Sequence, residues 1–156
     1  MIKTNAMRIL DKMKVEYEVI TYDVKDNKID GIAVSKKIGR EEKYVYKTLV
    51  TKGISKSIYI FLIPVTEEID FKKVAKITNE KTIEMLDLSE LQKYTGYIRG
   101  GCSPLGMKKQ YKTFIHNSAL ELQTIIVSAG KIGFQIEINP NLLVDIVEGS
   151  FNDLIK

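Results

Sequence analysis

The chain has 156 residues, with 24 Lys+Arg against 20 Asp+Glu, so its formal charge is +4. That length suits one compact domain of roughly 100–200 residues, and such a domain buries about 68–70% of its unfolded surface without metal or disulfide staples. Ordinary apolar and charged content excludes a disordered chain, and a lone cysteine, Cys102, excludes an internal disulfide. The longest apolar run, Ile58–Val65, is broken by Pro64 and falls far short of the ~20 residues of a membrane helix. The first residues, MIKTNAMRILDKMK, are charged every few positions and lack the apolar core of a signal peptide. The expectation is a cytoplasmic protein with no membrane partner.

In chain order, Thr4 or Asn5 caps a first helix carrying Met7, Ile9, Leu10 and Met13 near helical spacing. Glu16–Tyr22 is rich in Tyr, Val, Ile and Thr and reads as a strand. Val24–Gly31 is a polar loop, and Ile32–Ile38 a short helix closed by Gly39. Tyr44–Thr51 and Ser57–Ile63 are two strands joined by a hairpin loop, after which Asp70 caps a helix over Phe71–Ile77. Ser89-Glu90-Leu91-Gln92 has the form of a capping box and opens a helix that ends before Gly96. Residues 96–107 hold four glycines and one proline, too irregular for any regular element. Strands follow at Lys112–His116, Gln123–Ser128 and Phe134–Ile138, and Asn139-Pro140 starts a last helix. Short hairpin-like links between strands favour a mixed sheet in a single α+β domain, residues 1–156, over a doubly wound parallel sheet.

The charge is unevenly placed. Leu91–Leu120 contains no Asp or Glu, yet holds Lys93, Arg99, Lys108, Lys109, Lys112 and His116. This is either a solvated face or a surface for a polyanion. Lys47 shares a strand face with Val45 and Leu49. It is therefore an edge lysine reaching to water, or a pocket lysine gripping a phosphate or carboxylate. Gly100-Gly101-Cys102-Ser103-Pro104 offers backbone N–H groups unobstructed by side chains, suited to a phosphate or an oxyanion, and is otherwise a plain turn. Ser128-Ala129-Gly130-Lys131 brings a hydroxyl and a cation to a tight turn. Cys102 and His116 lack a third orienting residue, so a Cys–His nucleophile is disfavoured. One Cys and one His are also too few for a typical zinc site.

Several strings, taken together and in order, resemble the YbaK/EbsC family: KTNAMRILD at 3–11, YKTLV at 46–50, DFKKVAK at 70–76, TGYIRGGCSPLGMKK at 95–109 and VSAGKIGFQIEI at 127–138. The resemblance implies a mixed, barrel-like sheet surrounded by helices and a fold related to the editing domain of prolyl-tRNA synthetase. It implies a cofactor-free, metal-free aminoacyl-tRNA deacylase, nearest to those that clear Cys-tRNA(Pro) and Cys-tRNA(Cys), with prolyl-tRNA synthetase as a candidate partner. By analogy Lys47 engages the tRNA 3′ end, and Gly100, Gly101, Ser103 and Pro104 form the loop at the substrate carbonyl. Tyr22, Thr48, Ser128 and Gly130 line the pocket by the same analogy. In the cysteine-specific members the substrate's own thiolate attacks its ester, so no protein nucleophile is required. Release of another amino acid, such as alanine from Ala-tRNA(Pro), and non-catalytic tRNA binding are the alternatives. The chain departs from the family at Cys102, where an aliphatic residue is usual, at Lys131-Ile132-Gly133 in place of Lys-Arg-Gly, and in the 24–31 loop.

Overall fold

The computed structural model describes residues 2–156. Helix α1 (Asn5–Lys12) begins at Thr4, whose hydroxyl accepts a hydrogen bond from the Met7 N–H at 3.2 Å. It buries Ala6, Met7 and Leu10, while Met13 falls past its end and stays exposed. Strand β1 (Glu18–Thr21) precedes the polar loop. Helix α2 (Gly31–Ile38) is capped by the Asp30 carboxylate at one end and by Gly39, at φ 68°, at the other. A 3-10 turn over Glu42–Tyr44 occupies the predicted start of the next strand, so β2 runs Tyr46–Gly53.

Strand β3 (Ile58–Pro64) and helix α3 (Phe71–Thr78), capped by Asp70, follow as expected. Strand β4 (Ile83–Met85) is only three residues long and pairs with the end of β2. The capping box at Ser89 does not form. The Asp87 carboxylate, a stronger acceptor than a hydroxyl, takes both the N–H and the Oγ–H of Ser89 at 3.0 Å. It thereby caps a 3-10 turn over Leu88–Glu90, and helix α4 (Leu91–Thr95) starts behind that turn without a side-chain cap. The remaining elements are β5 (Lys112–His116), β6 (Ile125–Lys131), β7 (Phe134–Ile138), α5 (Pro140–Ile146) and β8 (Ser150–Asn152). β6 outruns its predicted end because a bulge after Ser128 lets pairing resume at Lys131 with Phe134.

The strands form two sheets. One is antiparallel, in the order β1-β7-β6, and the other is mixed, in the order β4-β2-β3-β5-β8, with parallel pairs at β3–β5 and β5–β8. They are joined by a parallel bridge between Val45 and Ile126, and among the described residues no further pairing closes them into a complete barrel. The main core lies between them, with α1 and α5 packed in through Leu10 and Leu143. β3 is buried along its whole length because both of its faces are covered. Ile58, Ile60 and Leu62 point into the main core, while Tyr59, Phe61 and Ile63 pack against Val74 and Ala75 of α3. The unbroken apolar run seen in the sequence is thus a strand between two layers.

Candidate active site

A cleft of about 780 Å³ opens beside β2. It exists because β2 lacks a full-length neighbour on one side. β4 pairs only with Thr51–Gly53, and β6 meets this region only through the Val45–Ile126 bridge. Residues 46–49 therefore have β3 on one edge and no strand on the other. The Val50 carbonyl accepts from the Leu86 N–H at 3.0 Å on that open side. By alternation Thr48 turns its backbone N–H and C=O the same way.

Lys47, Thr48, Gly100 and Ser128 all line the cleft. Lys47 is half-buried, and its ammonium belongs to none of the ion pairs among the described residues. Burial holds its pKa below the ordinary lysine value, and the charges of Glu68 and Glu67 pull it only partly back. The Thr48 hydroxyl is buried without a hydrogen-bond partner. An unmade hydrogen bond of that kind costs about 1–3 kcal/mol. A desolvated cation and an unsatisfied hydroxyl on the lining of one cleft are a poor arrangement for stability and a suitable one for an anionic or carbonyl-bearing ligand.

The other expected residues lie around this wall rather than on it. The Gly101 N–H donates to the Ile98 carbonyl at 3.0 Å, so of the paired glycines only Gly100 keeps an N–H without a backbone partner. The expectation of two free donors reduces to one. A Cβ on Gly101 would meet the Ile132 backbone nitrogen at 3.0 Å, which explains why the position has no side chain. Ser103 is fully buried, with its hydroxyl accepting from the Leu105 N–H, and Pro104 is buried beside it. Gly130, at φ 95°, sits against the ring of Tyr97, and its N–H donates to the Ser128 hydroxyl at 3.2 Å. Tyr22 does not line the cleft. Its hydroxyl is buried without a partner, and the Lys37 ammonium lies 5.9 Å from its ring centroid.

Tyr97 was not singled out from the sequence, yet it is the post that shapes the glycine-rich loop. Its hydroxyl donates to the Leu105 carbonyl at 2.5 Å, and a Cβ on Gly106 would meet the Tyr97 hydroxyl oxygen at 2.7 Å. An aromatic residue inside a glycine-rich segment was the available signal. Leu88, exposed on the rim, and Asn27 and Ile29 on the lining were not named individually, and Arg99 was read only as part of the basic stretch. They come from segments whose relation to β2 only folding establishes.

Cys102 lines the cleft, and burial pushes its thiol up to about 12, so it is protonated at neutral pH. His116 is buried on β5 with its Nδ1 accepting from the Leu154 N–H at 3.2 Å, and it is not on the cleft lining. Burial lowers its pKa against the opposing pull of Asp153 and Glu67, so the ring is held toward its neutral form. The two residues do not form a nucleophile–base pair. The cleft does contain one carboxylate, Asp30, which is engaged in capping α2 through the Ala33 N–H. Among the described residues no three His, Cys, Asp or Glu side chains converge as a metal site would require.

The sequence profile of the aminoacyl-tRNA editing domain matches residues 30–146. A protein of Enterococcus faecalis named as the Cys-tRNA(Pro)/Cys-tRNA(Cys) deacylase EbsC is 41% identical over 152 residues, covering 97% of this chain and 93% of that protein. Among solved structures, hypothetical protein APE2540 superposes with a TM-score of 0.89 at 14% identity, over 98% of this chain and 100% of that one. A structure described as a trans-editing enzyme for prolyl tRNA synthetase gives 0.85 at 17% identity, over 100% of this chain and 99% of that one. At such low identity these two establish the fold alone. The profile match and the enterococcal relative reach further, and by them the chain belongs to the aminoacyl-tRNA editing domain family.

Proposed function

We propose that the chain is a trans-editing deacylase that removes cysteine from Cys-tRNA(Pro) and Cys-tRNA(Cys), with residues 1–156 acting as one editing unit in the cytoplasm. One observation carries the reading: the cleft is lined by Lys47, half-buried and with its ammonium in no ion pair among the described residues, and by Thr48, whose buried hydroxyl is unsatisfied. These groups suit holding an ester and its neighbouring phosphate. The one thiol in the cleft is held protonated by burial.

The reacting group then comes from the substrate. The cysteinyl thiolate attacks its own ester carbonyl, the bond to the ribose oxygen breaks, and that oxygen leaves as the tRNA 3′-terminal alcohol after taking a proton. The resulting strained cyclic thioester is opened by water to free cysteine. Here the cleft's contribution is placement and charge stabilisation. Holding reactants in a near-attack geometry is worth several kcal/mol, and a single oxyanion donor such as the Gly100 N–H about 2.7–4 kcal/mol. Lys47 anchors the terminal nucleotide, and Thr48 and Ser128 orient the aminoacyl group. Gly101, Ser103, Pro104 and Gly130 set the path of the surrounding backbone, and Tyr22 supports the adjoining loop.

The acid-free segment supplies the approach for tRNA. Lys93, Lys108, Lys109 and Lys112 are exposed and unpaired among the described residues. Arg99 reaches the cleft itself. The Lys52 and Lys93 ammonium groups lie 5.8 and 5.5 Å from the Tyr94 ring on α4, the helix that also gives Leu91 to the lining. Prolyl-tRNA synthetase, the enzyme that generates Cys-tRNA(Pro) by mischarging, is the partner this activity would serve.

The test is single-turnover release of labelled cysteine from Cys-tRNA(Pro), with Ala-tRNA(Pro) alongside and Lys47→Ala as control. Fast cysteine release that the variant loses supports the reading. Preferential alanine release moves the specificity to the sister reaction. Binding of tRNA with no release of either amino acid leaves a non-catalytic module.

A further inference from the structure

The loop between β1 and α2 is tied down by one side chain. Lys37 reaches back from the last turn of α2, and its ammonium donates to the Asp23 carbonyl at 2.6 Å, to the Asp26 carboxylate at 2.7 Å and to the Lys28 carbonyl at 2.9 Å. All three donor hydrogens of the ammonium are thereby used, and its outer side faces the Tyr22 ring. The loop is also folded on itself: Asp23 accepts from the Lys25 N–H, Asp26 accepts from the Lys28 N–H, and the Asn27 N–H donates to the Val24 carbonyl. Asn27 stands at φ 58°, a conformation that Asn tolerates better than most residues.

This tie has a consequence at the cleft. Asn27 and Ile29, within and just after the tethered stretch, line it opposite residues of β2. Ile29 also packs directly on the glycine loop, where a Cβ on Gly100 would meet Ile29 Cδ1 at 2.6 Å. The wall that faces the ligand is thus made of exposed polar chain with no hydrophobic core of its own, since residues 23–28 are all exposed. Without the Lys37 tether, little else would hold it at a fixed distance from Thr48.

We infer that Lys37 is a positioning residue for amino-acid selectivity: its three hydrogen bonds hold the 23–29 loop as a rigid wall of the aminoacyl pocket, through Ile29 against Gly100. The inference rests on the deacylase reading for its substrates, and on geometry alone for the clamp. Discrimination between amino acids that differ by one small group depends on a pocket wall that does not yield, because a pocket that expands accepts the larger side chain.

The experiment compares wild type, Lys37→Met and Lys37→Arg. Met keeps the packing length without the donors, and Arg restores donors at the same site. Backbone hydrogen exchange of residues 23–29 reports the clamp without any substrate. The ratio of kcat/KM for Cys-tRNA(Pro) to that for the same tRNA carrying homocysteine, which keeps the thiol and adds one methylene, is measured on the same preparation and is insensitive to the fraction folded. The expected result is faster exchange confined to 23–29 in Lys37→Met and a selectivity ratio at least about tenfold closer to unity, with both partly restored in Lys37→Arg. Faster exchange with an unchanged ratio overturns the positioning role while leaving the deacylase reading intact. Unchanged exchange overturns the clamp. Wild-type protein that releases neither amino acid fails the deacylase reading and with it the selectivity role, and the exchange data then judge the clamp by themselves.

Discussion

Two depressions of the described residues differ less in size than in how their polar groups are used. A groove of about 960 Å³ runs along Glu18 of β1, Glu137 of β7 and Asn141 of α5. Its polar groups answer one another: Arg40 donates to both oxygens of Glu137 at 2.7 and 2.6 Å, and the Thr124 hydroxyl donates to the same carboxylate at 2.6 Å. The cleft beside β2 has a cation and a hydroxyl of the same kinds, Lys47 and Thr48, with no such partners. Volume therefore says little, and polar satisfaction distinguishes a cross-link from a site. In one region the charges hold the end of α2 to the antiparallel sheet, and in the other they wait for a ligand.

Opposite substitutions sharpen the contrast. Lys47→Met should cost at least about 100-fold in kcat/KM for the aminoacyl ester, while leaving stability unchanged or raised by up to about 1 kcal/mol in a urea titration. The sign follows from burial: a lysine whose folded pKa lies below its unfolded value penalises the fold while charged. Wild type should thus gain stability as pH rises from that lowered value toward 10.5, and Lys47→Met should not. Arg40→Met should do the reverse, costing about 1–3 kcal/mol of stability by leaving Glu137 half-paired, with activity per folded molecule unchanged.

The same pair sets an acid limb. Arg40 holds the Glu137 carboxyl below the ordinary glutamate value of 4.5, with Thr124 adding to the effect. Its contribution is present in full above that value and is lost as pH falls through the lowered folded value. Arg40→Met should flatten that part of the thermal stability profile.

Thr48→Val is a milder version of the Lys47 test. Removing an unsatisfied hydroxyl should not destabilise the fold, yet deacylation should fall about tenfold through the lost contact to substrate. A stability loss there instead would mean that the hydroxyl has a partner in solution. The smallest effect is expected for Cys102→Ala, whose kcat/KM should stay within about twofold of wild type. A large loss would give the buried thiol a role that its protonation at neutral pH argues against.

Much of this was legible in the residues. Caps at Thr4, Asp70 and Asn139 are local events, a side-chain oxygen meeting an N–H two or three residues on, and their positions follow from sequence, whereas the Asp30 cap of α2 was read as part of a loop. Strand β3 was legible because six apolar residues in a row, Ile58–Ile63, have few alternatives. Ser89 misled because two acceptors stood close together and the competition between Asp87 and Ser89 was decided by charge. β4 and β8 had no signal, since three residues carry no period and are extended only because β2 and β5 offer them an edge. Lys47, Thr48, Gly100 and Ser128 were named together from the wording of their strings, and the fold brings them to one cleft.

What the sequence determined by itself was each segment's conformation and the identity of the groups able to do chemistry, because capping, alternation and glycine content act over a few residues. Tertiary structure decided which of those groups are left unsatisfied. The free edge of β2 depends on where β4 stops and where β6 bridges, the free N–H of Gly100 depends on the turn that takes Gly101, and the fixed wall at Ile29 depends on a lysine eight residues further along the chain. Partners are assigned only when distant segments meet, and a site is the place where that assignment leaves groups over.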